Sequence, residues 1–191
     1  RQENLKRLKR VLLSNQDRLL DAIDRDFSCR SKDESLIAEV MPSIQGINYT
    51  LKNLEGWMKP SKRHVSVLFQ PASNRVHYQP KGVVGVIVPW NYPFHNIVNP
   101  VSAAVFAGNA IVVKVSEHAS WSSKCYERLL KGCLAAVGAP ADLIQVVHGY
   151  GEAGAGLPRC VDHLTFVGST KVGKGVRRQA AAPLTPVTLA R

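Results

Sequence analysis

The chain has 191 residues, of which 45% are hydrophobic and 20% are charged, a balance typical of a globular protein that buries a core. The net charge of +11 is spread along the chain, with +5 over residues 1–80 and +6 over residues 81–191. A basic tail or stripe would indicate nucleic-acid binding, and this even distribution argues against that class of partner.

Residues 1–63 predict an N-terminal helical segment made of two amphipathic helices. In the first helix, apolar residues recur at steps of three, four and seven, as one helix face requires: Leu5, Leu8, Leu12, Leu19, Ile23 and Phe27. Ser31 and Glu34 have the spacing of a capping box and begin the second helix. We expect Pro42 to kink this helix or to mark its true start, and Pro60 to end it.

Residues 64–80 predict a β-hairpin. Apolar residues alternate with others at 65–69 and again at 76–78, on either side of the turn-prone segment 71–74. An isolated hairpin is only marginally stable in water, so this one should lie on the domain or pair with another chain.

From residue 81 to residue 191, apolar strands alternate with helical stretches. Strands are predicted at 83–88, 110–115, 143–147 and 164–167, with a fifth beginning at 187–189. Helices are predicted at 94–107, 121–137 and 171–182. Repeated βα units favour an α/β fold with a doubly wound, Rossmann-like parallel sheet, preceded here by two helices and a hairpin. Such sheets bind ligands at the carboxyl ends of their strands.

Three segments at those strand ends contain side chains suited to ligand binding or catalysis. In the first, PWNYP at residues 89–93, two prolines stiffen a loop that presents Trp90 and Asn91. Asn91 is either the cap of the next helix, in a buried aromatic turn, or the donor of an amide N–H to a developing oxyanion.

The second segment is KVSE at residues 114–117, where Lys114 and Glu117 are either solvated or hydrogen-bonded to the hydroxyls of a ribose. The third is FVGSTKVG at residues 166–173, whose small residues let the backbone approach a ligand. Its hydroxyls and the following helix N-terminus suit a phosphate, and Ser169 or Thr170 can cap that helix at the same time.

Residues 149–154 match the pattern G-x-G-x-x-G after a strand. The acidic residue expected about 20 positions later is absent, so this match is not the ordinary dinucleotide fingerprint.

The four cysteines form no C-x-x-C pair and complete no zinc spacing, which predicts reduced thiols and no metal site in an intracellular, cytoplasmic protein. No apolar run reaches the roughly 18 residues that a membrane span needs. The chain begins with Arg1 and not with Met, which suggests a fragment and leaves room for an upstream membrane anchor.

Taken together, the three segments resemble the aldehyde dehydrogenase superfamily in order, spacing and placement. The resemblance is close over residues 78–189 and rests on these stretches: 80–87, 89–93, 107–117, 166–173 and 184–189. Within this superfamily, the WMKP segment at 57–60 favours the class 3 or fatty-aldehyde type. The resemblance implies an NAD(P)-dependent oxidation of aldehydes to carboxylic acids in the parent protein.

The resemblance also implies roles for residues. Asn91 would donate to the oxyanion of the thiohemiacetal, Lys114 and Glu117 would hold the adenosine ribose, and Val172 would pack near the adenine. Ser169 would lie at the pyrophosphate. The full set of implied cofactor residues is Val88, Pro89, Trp90, Lys114, Ser116, Glu117, Gly149, Gly168, Ser169, Thr170 and Val172. NAD is favoured over NADP because Glu117 would repel a 2′-phosphate, and the hairpin at 65–78 resembles the arm through which the family forms homo-oligomers.

The chain departs from the family in ways that bear on activity. Ala190 stands where the family has its general-base glutamate, with Arg191 after it, and none of the four cysteines matches the catalytic nucleophile. Val115 replaces the usual proline. We therefore expect an incomplete aldehyde dehydrogenase fold that is inactive alone. The alternative is a noncatalytic nucleotide-binding or scaffolding module.

Overall fold

The computed structural model describes residues 2–190, so Arg1 and Arg191, with the interpretations that fall on them, lie outside the described residues. The first helical pattern is divided into α1 (Gln2–Ser14) and α2 (Gln16–Phe27). The prediction of a single helix is wrong, because the helix is interrupted at Asn15. The Nδ2 of Asn15 donates to the carbonyl of Val11 at 2.8 Å. Such local side-chain bonds compete with the helical ladder, and this one accompanies the break.

The second helical pattern contains α3 (Lys32–Ser35), a π-helical turn (Leu36–Val40) and α4 (Met41–Met58). The predicted cap is confirmed, since Ser31 Oγ accepts from the Glu34 amide at 3.0 Å. Pro42 is the second residue of α4, and Met41 before it donates its N–H to the carbonyl of Leu36 in the π-helical turn. The proline therefore lies where the π-helical turn passes into α4, at an irregularity inside the helix.

The hairpin differs from its prediction. Its strands are β1 (Ser61–Arg63) and β2 (Asn74–Val76), which pair antiparallel. The strand predicted at 65–69 is wrong, because Val67–Phe69 forms a 3-10 turn in the connecting loop. All three of these side chains are exposed, so no buried face selects the alternating pattern that would make them a strand.

Five parallel strands form the central sheet in the order β5-β4-β3-β6-β7. The strands are β3 (Val83–Ile87), β4 (Ala110–Lys114), β5 (Ile144–Val147), β6 (His163–Val167) and β7 (Val187–Ala190). The helices are α5 (Pro93–Ala107), α6 (Ser120–Ala136), α7 (Gly151–Gly156) and α8 (Thr170–Ala181). The predicted doubly wound parallel sheet is confirmed.

Alternate residues of β3 belong to two hydrophobic clusters. Val84 and Val86 join the larger cluster, which α1, α2, α4, α5 and α6 complete. Val83 and Ile87 pack against the smaller one, which contains Val176 of α8. This alternation is what a strand buried on both sides produces. Among residues 2–190, no helix has the length and apolar character needed to cross a membrane.

The chain leaves β3 towards β4 on one side, while β6 lies on the other side of β3. This reversal of strand order opens a crevice at the carboxyl ends of the strands, where doubly wound folds bind their ligands. The segments that follow β3, β4 and β6 meet there.

Candidate functional site

A cleft of about 640 Å³ lies at the carboxyl ends of β3, β4 and β6, within the usual size range of ligand sites. Nine of the predicted cofactor residues line it: Val88, Pro89, Trp90, Lys114, Ser116, Glu117, Gly168, Ser169 and Val172. The lining does not include Asn91, Gly149 or Thr170. The structure thus brings together most of the predicted site from three separate segments.

Lys114 ends β4 with its ammonium nearly buried, the whole residue being 5% exposed. Its Nζ lies 3.0 Å from Glu117 Oε2. The backbone amide of Glu117 itself and the Lys114 ammonium hold the pKa of the Glu117 carboxyl below its ordinary value. The Glu117 carboxyl is therefore ionised at neutral pH, and it lies against the Lys114 side chain at the same wall of the cleft.

The turn between these two residues forms without proline. Val115 is buried, and its N–H donates to the carbonyl of Val147 at 3.2 Å, a bond that proline could not make. Ser116 Oγ then accepts from the His118 amide at 3.3 Å and begins a short 3-10 turn. The substitution at 115 extends the pairing between β4 and β5 and leaves Lys114 and Glu117 in contact.

Opposite this pair, the turn from β6 into α8 supplies backbone N–H groups. Ser169 caps α8, and its Oγ accepts from the Val172 amide at 3.4 Å, so the cap is Ser169 and not Thr170. A Cβ at Gly168 would lie 2.8 Å from Cζ of Phe166, so only glycine fits there without a shift of that ring. The first-turn amides of α8 have no carbonyl partner within the helix and offer an anion site beside the cleft.

The loop after β3 forms a further wall. Trp90 lines the cleft and stacks on Phe27 of α2, with ring centroids 5.9 Å apart. Asn91 is exposed, and its Oδ1 accepts from Asn96 Nδ2 at 3.3 Å. The alternative in which Asn91 caps α5 is wrong, because Tyr92 holds the cap position. Within residues 2–190, no acceptor takes up the Nδ2 hydrogens of Asn91, and they remain available to donate.

The residues that sequence reasoning missed come mostly from helices. His118, Gly151, Gly154, Ala155, Phe166, Gly175, Val176 and Gln179 also line the cleft. Helix α7 was not predicted, because three glycines in six residues give a weak helical signal. The family resemblance implies Gly149 as the cofactor residue of this segment, yet Gly151 and Gly154 are the glycines that line the cleft. A Cβ at Gly154 would touch the Lys114 side chain, at 3.9 Å from Cδ.

The chain is similar to proteins of one family over nearly its whole length. The model of the aldehyde dehydrogenase family matches residues 1–190. The chain is 50% identical over 186 residues to a probable coniferyl aldehyde dehydrogenase of Pseudomonas aeruginosa, which covers 97% of this chain and 38% of that protein. It is 35% identical over 194 residues to mouse aldehyde dehydrogenase family 3 member B3, covering 99% of this chain and 38% of that one.

A solved structure of a Staphylococcus aureus AldH in a substrate-bound state superposes with a TM-score of 0.86 at 29% identity. The superposition covers 98% of this chain and 40% of that structure. The chain therefore spans well under half the length of the relatives that it matches.

Proposed function

Because the chain belongs to the aldehyde dehydrogenase family, we propose that its cleft binds a nicotinamide dinucleotide as the cofactor-binding portion of an enzyme that oxidises aldehydes to carboxylic acids. The observation that carries the proposal is the placement of the Lys114–Glu117 pair and the α8 N-terminus around one cleft. The Lys114–Glu117 pair suits ribose hydroxyls, and the N-terminus of α8 suits a pyrophosphate.

The residues present fit such a cofactor. Lys114 and Glu117 would bond the adenosine ribose, while Ser169 and the first-turn amides of α8 would face the pyrophosphate. Gly168 leaves room for that approach because its position admits no side chain. Val172, which is exposed at the cleft, would pack on the adenine. Bound there, the nicotinamide ring would supply the hydride acceptor that aldehyde oxidation needs.

Glu117 supports NAD as the preferred form. Its carboxylate stays ionised, because its own backbone amide and Lys114 lower its pKa. A carboxylate bonded to the ribose hydroxyls would repel the 2′-phosphate of NADP.

Asn91 is the residue we propose as the oxyanion donor. Asn96 holds the amide oxygen of Asn91, which leaves its N–H groups as the free end of the amide. A preorganised donor of this kind stabilises the negative charge that develops on a carbonyl oxygen under nucleophilic attack.

The remaining parts of covalent aldehyde oxidation are a thiolate nucleophile and a general base. None of the four cysteines lines the cleft. Burial also raises the pKa of the Cys133 thiol to about 11, so that thiol stays protonated at neutral pH. Ala190, in the position of the family's general base, has no group that could take a proton. We therefore propose that the 191-residue chain binds cofactor without turnover, which makes it, when alone, a nucleotide-binding module.

The four unpaired thiols of the chain support an intracellular location.

Calorimetric titration of the purified chain tests both parts of this proposal. We expect NAD to bind and NADP to bind about tenfold more weakly, a difference of about 1.4 kcal/mol. With NAD and a panel of aliphatic and aromatic aldehydes, absorbance at 340 nm should stay flat. Absent heat of binding for both nucleotides would contradict the cofactor site, and a rising absorbance would contradict the lack of turnover.

We further propose that the β1–β2 hairpin is a surface through which copies of the chain associate. The 3-10 turn Val67–Phe69 exposes three large apolar side chains, and Leu68 is 88% exposed. Clustered apolar side chains of this kind mark interaction surfaces more often than scattered ones do.

Substitution Leu68→Glu is expected to shift the dimer–monomer equilibrium towards monomer by at least about tenfold, because it places a charge in the apolar turn through which the copies would associate. Light scattering over a concentration series measures the shift. Leu184→Glu is the matched control, since Leu184 is equally exposed, at 85%, but lies in the connection between α8 and β7. Equal masses for all three proteins at every concentration would argue against association through the hairpin.

A further inference from the structure

Glu39 lies in the π-helical turn before α4 and is fully buried. Its Oε2 accepts from the backbone amide of Phe94 at 2.7 Å and from that of His95 at 3.4 Å. Its Oε1 accepts from Arg30 Nη1 at 3.0 Å. One carboxylate from the N-terminal segment therefore caps the first turn of α5, which follows the loop that carries Asn91.

Arg30 contacts the other side of that loop. Its Nη2 donates to the backbone carbonyl of Asn91 at 2.7 Å. The guanidinium lies over the ring of Phe27, 4.1 Å from its centroid, and 5.1 Å from the centroid of the Tyr92 ring. Phe27 in turn stacks on Trp90. The planar fork of arginine makes both hydrogen bonds at once, which the single ammonium of lysine cannot reproduce.

Trp90, Asn91 and Tyr92 are all exposed, so burial contributes little to fixing their positions. A buried carboxylate paired with a cation adds little net stability compared with apolar packing. The role of the Arg30–Glu39 pair is therefore better explained by the positions that it imposes on the backbone groups to which it is hydrogen-bonded.

We propose that Arg30 and Glu39 are positioning residues that hold the loop 89–92, keeping Trp90 against the cleft and the Asn91 amide in a fixed place. The consequence for Asn91 as an oxyanion donor rests on the function proposed above. The restraint on the loop itself does not depend on that function, because it is defined by contacts within the chain.

The restraint should depend on pH. Loss of solvent raises the pKa of Glu39 to about 7, although the Phe94 and His95 amides and Arg30 act in the opposite direction. The other groups that face it are the Arg30 guanidinium, His95 and Tyr126 on α6. Burial lowers the pKa of His95 and raises the pKa of Tyr126, so both are neutral at pH 7. As pH falls through about 7, Glu39 loses its charge, Arg30 loses its buried counterion, and the loop should loosen.

Fluorescence of Trp90 tests the proposal in a Trp57→Phe, Trp121→Phe background, where Trp90 is the one remaining tryptophan. In Arg30→Lys and in Glu39→Gln we expect red-shifted emission and an increase of about twofold in the mobile fraction of the time-resolved anisotropy. The background protein should show an emission transition with a midpoint near pH 7, and Glu39→Gln should not. Circular dichroism confirms that each variant is folded.

The matched control is Glu34→Gln. Glu34 also approaches Arg30, with Oε1 3.8 Å from Nε, but its side chain is largely exposed and, within residues 2–190, makes no bond to the loop. This variant should behave as the background does. Unchanged emission and anisotropy in Arg30→Lys would overturn the proposal even if Glu39→Gln failed to fold. Because no nucleotide is added, a chain that does not bind NAD would count against the proposed function alone.

Discussion

Replacing Lys114 with methionine is expected to weaken NAD binding by about 10- to 100-fold, as loss of a hydrogen bond from a charged group costs about 1.5–3 kcal/mol. The effect should be large because the ammonium is nearly buried at the cleft wall, where water competes weakly for its hydrogen bonds. Methionine keeps the length and the apolar stem, so the packing against α7 should survive. Calorimetric titration gives the dissociation constants.

Lys124→Met is the control for this prediction. Lys124 lies on α6, outside the lining of the cleft, and its substitution removes the same charge from the chain. Its affinity for NAD should stay within about twofold of that of the unmodified chain, because diffuse charge acts weakly at a distance in physiological salt. Equal loss of affinity in the two variants would mean that net charge and not the Lys114 contact governs binding.

Phe94→Ala is expected to lower the free energy of unfolding by about 3–5 kcal/mol. Phe94 is fully buried in the first turn of α5, and its ring meets that of Tyr126 edge-on at 5.3 Å. The substitution leaves a cavity where α5 and α6 pack together. Urea unfolding followed by circular dichroism measures the change.

Phe69→Ala removes the same atoms from an exposed position in the 3-10 turn of the hairpin loop. At a protein concentration at which the chain is monomeric, we expect its free energy of unfolding to stay within about 0.5 kcal/mol of that of the unmodified chain. A loss at Phe94 no greater than the loss at Phe69 would contradict the packing described between α5 and α6.

The elements of the parallel sheet could be predicted from the sequence because their signals are local. Val83–Ile87 is a nearly continuous apolar run, and a strand covered by helices on both faces needs apolar side chains on both sides. Ser169 and Thr170 are both cap residue types at the start of a helical pattern, so a cap could be predicted there, and the structure assigns it to Ser169. The resemblance to a family then connected Lys114, Glu117 and Ser169, which chain position alone does not bring together.

Other features depend on contacts that leave no local pattern. Glu39 meets Phe94 across 55 positions, and Arg30 meets Asn91 across 61. Residues so far apart along the chain are not related by the helical or strand period, so no sequence pattern could show that they are in contact. The strands of the hairpin were predicted at the wrong positions for a related reason. Alternating apolar residues indicate a strand when one face of that strand is buried, and the apolar tip of this hairpin is exposed. Helix α7 formed against the strand ends in spite of its glycines, because tertiary packing can outweigh weak propensity.

The order of the strands has a consequence during synthesis on the ribosome. Ala110 pairs with Val83 after 27 positions, whereas His163 pairs with Val84 only after 79. The three strands β5, β4 and β3 can therefore assemble first, with one edge of β3 still unpaired. At about 5–20 residues per second, β6 emerges roughly 1–3 s after β5. During that interval the nascent chain exposes an apolar strand edge, and we expect this to be the moment at which chaperones bind it and at which misassembly begins.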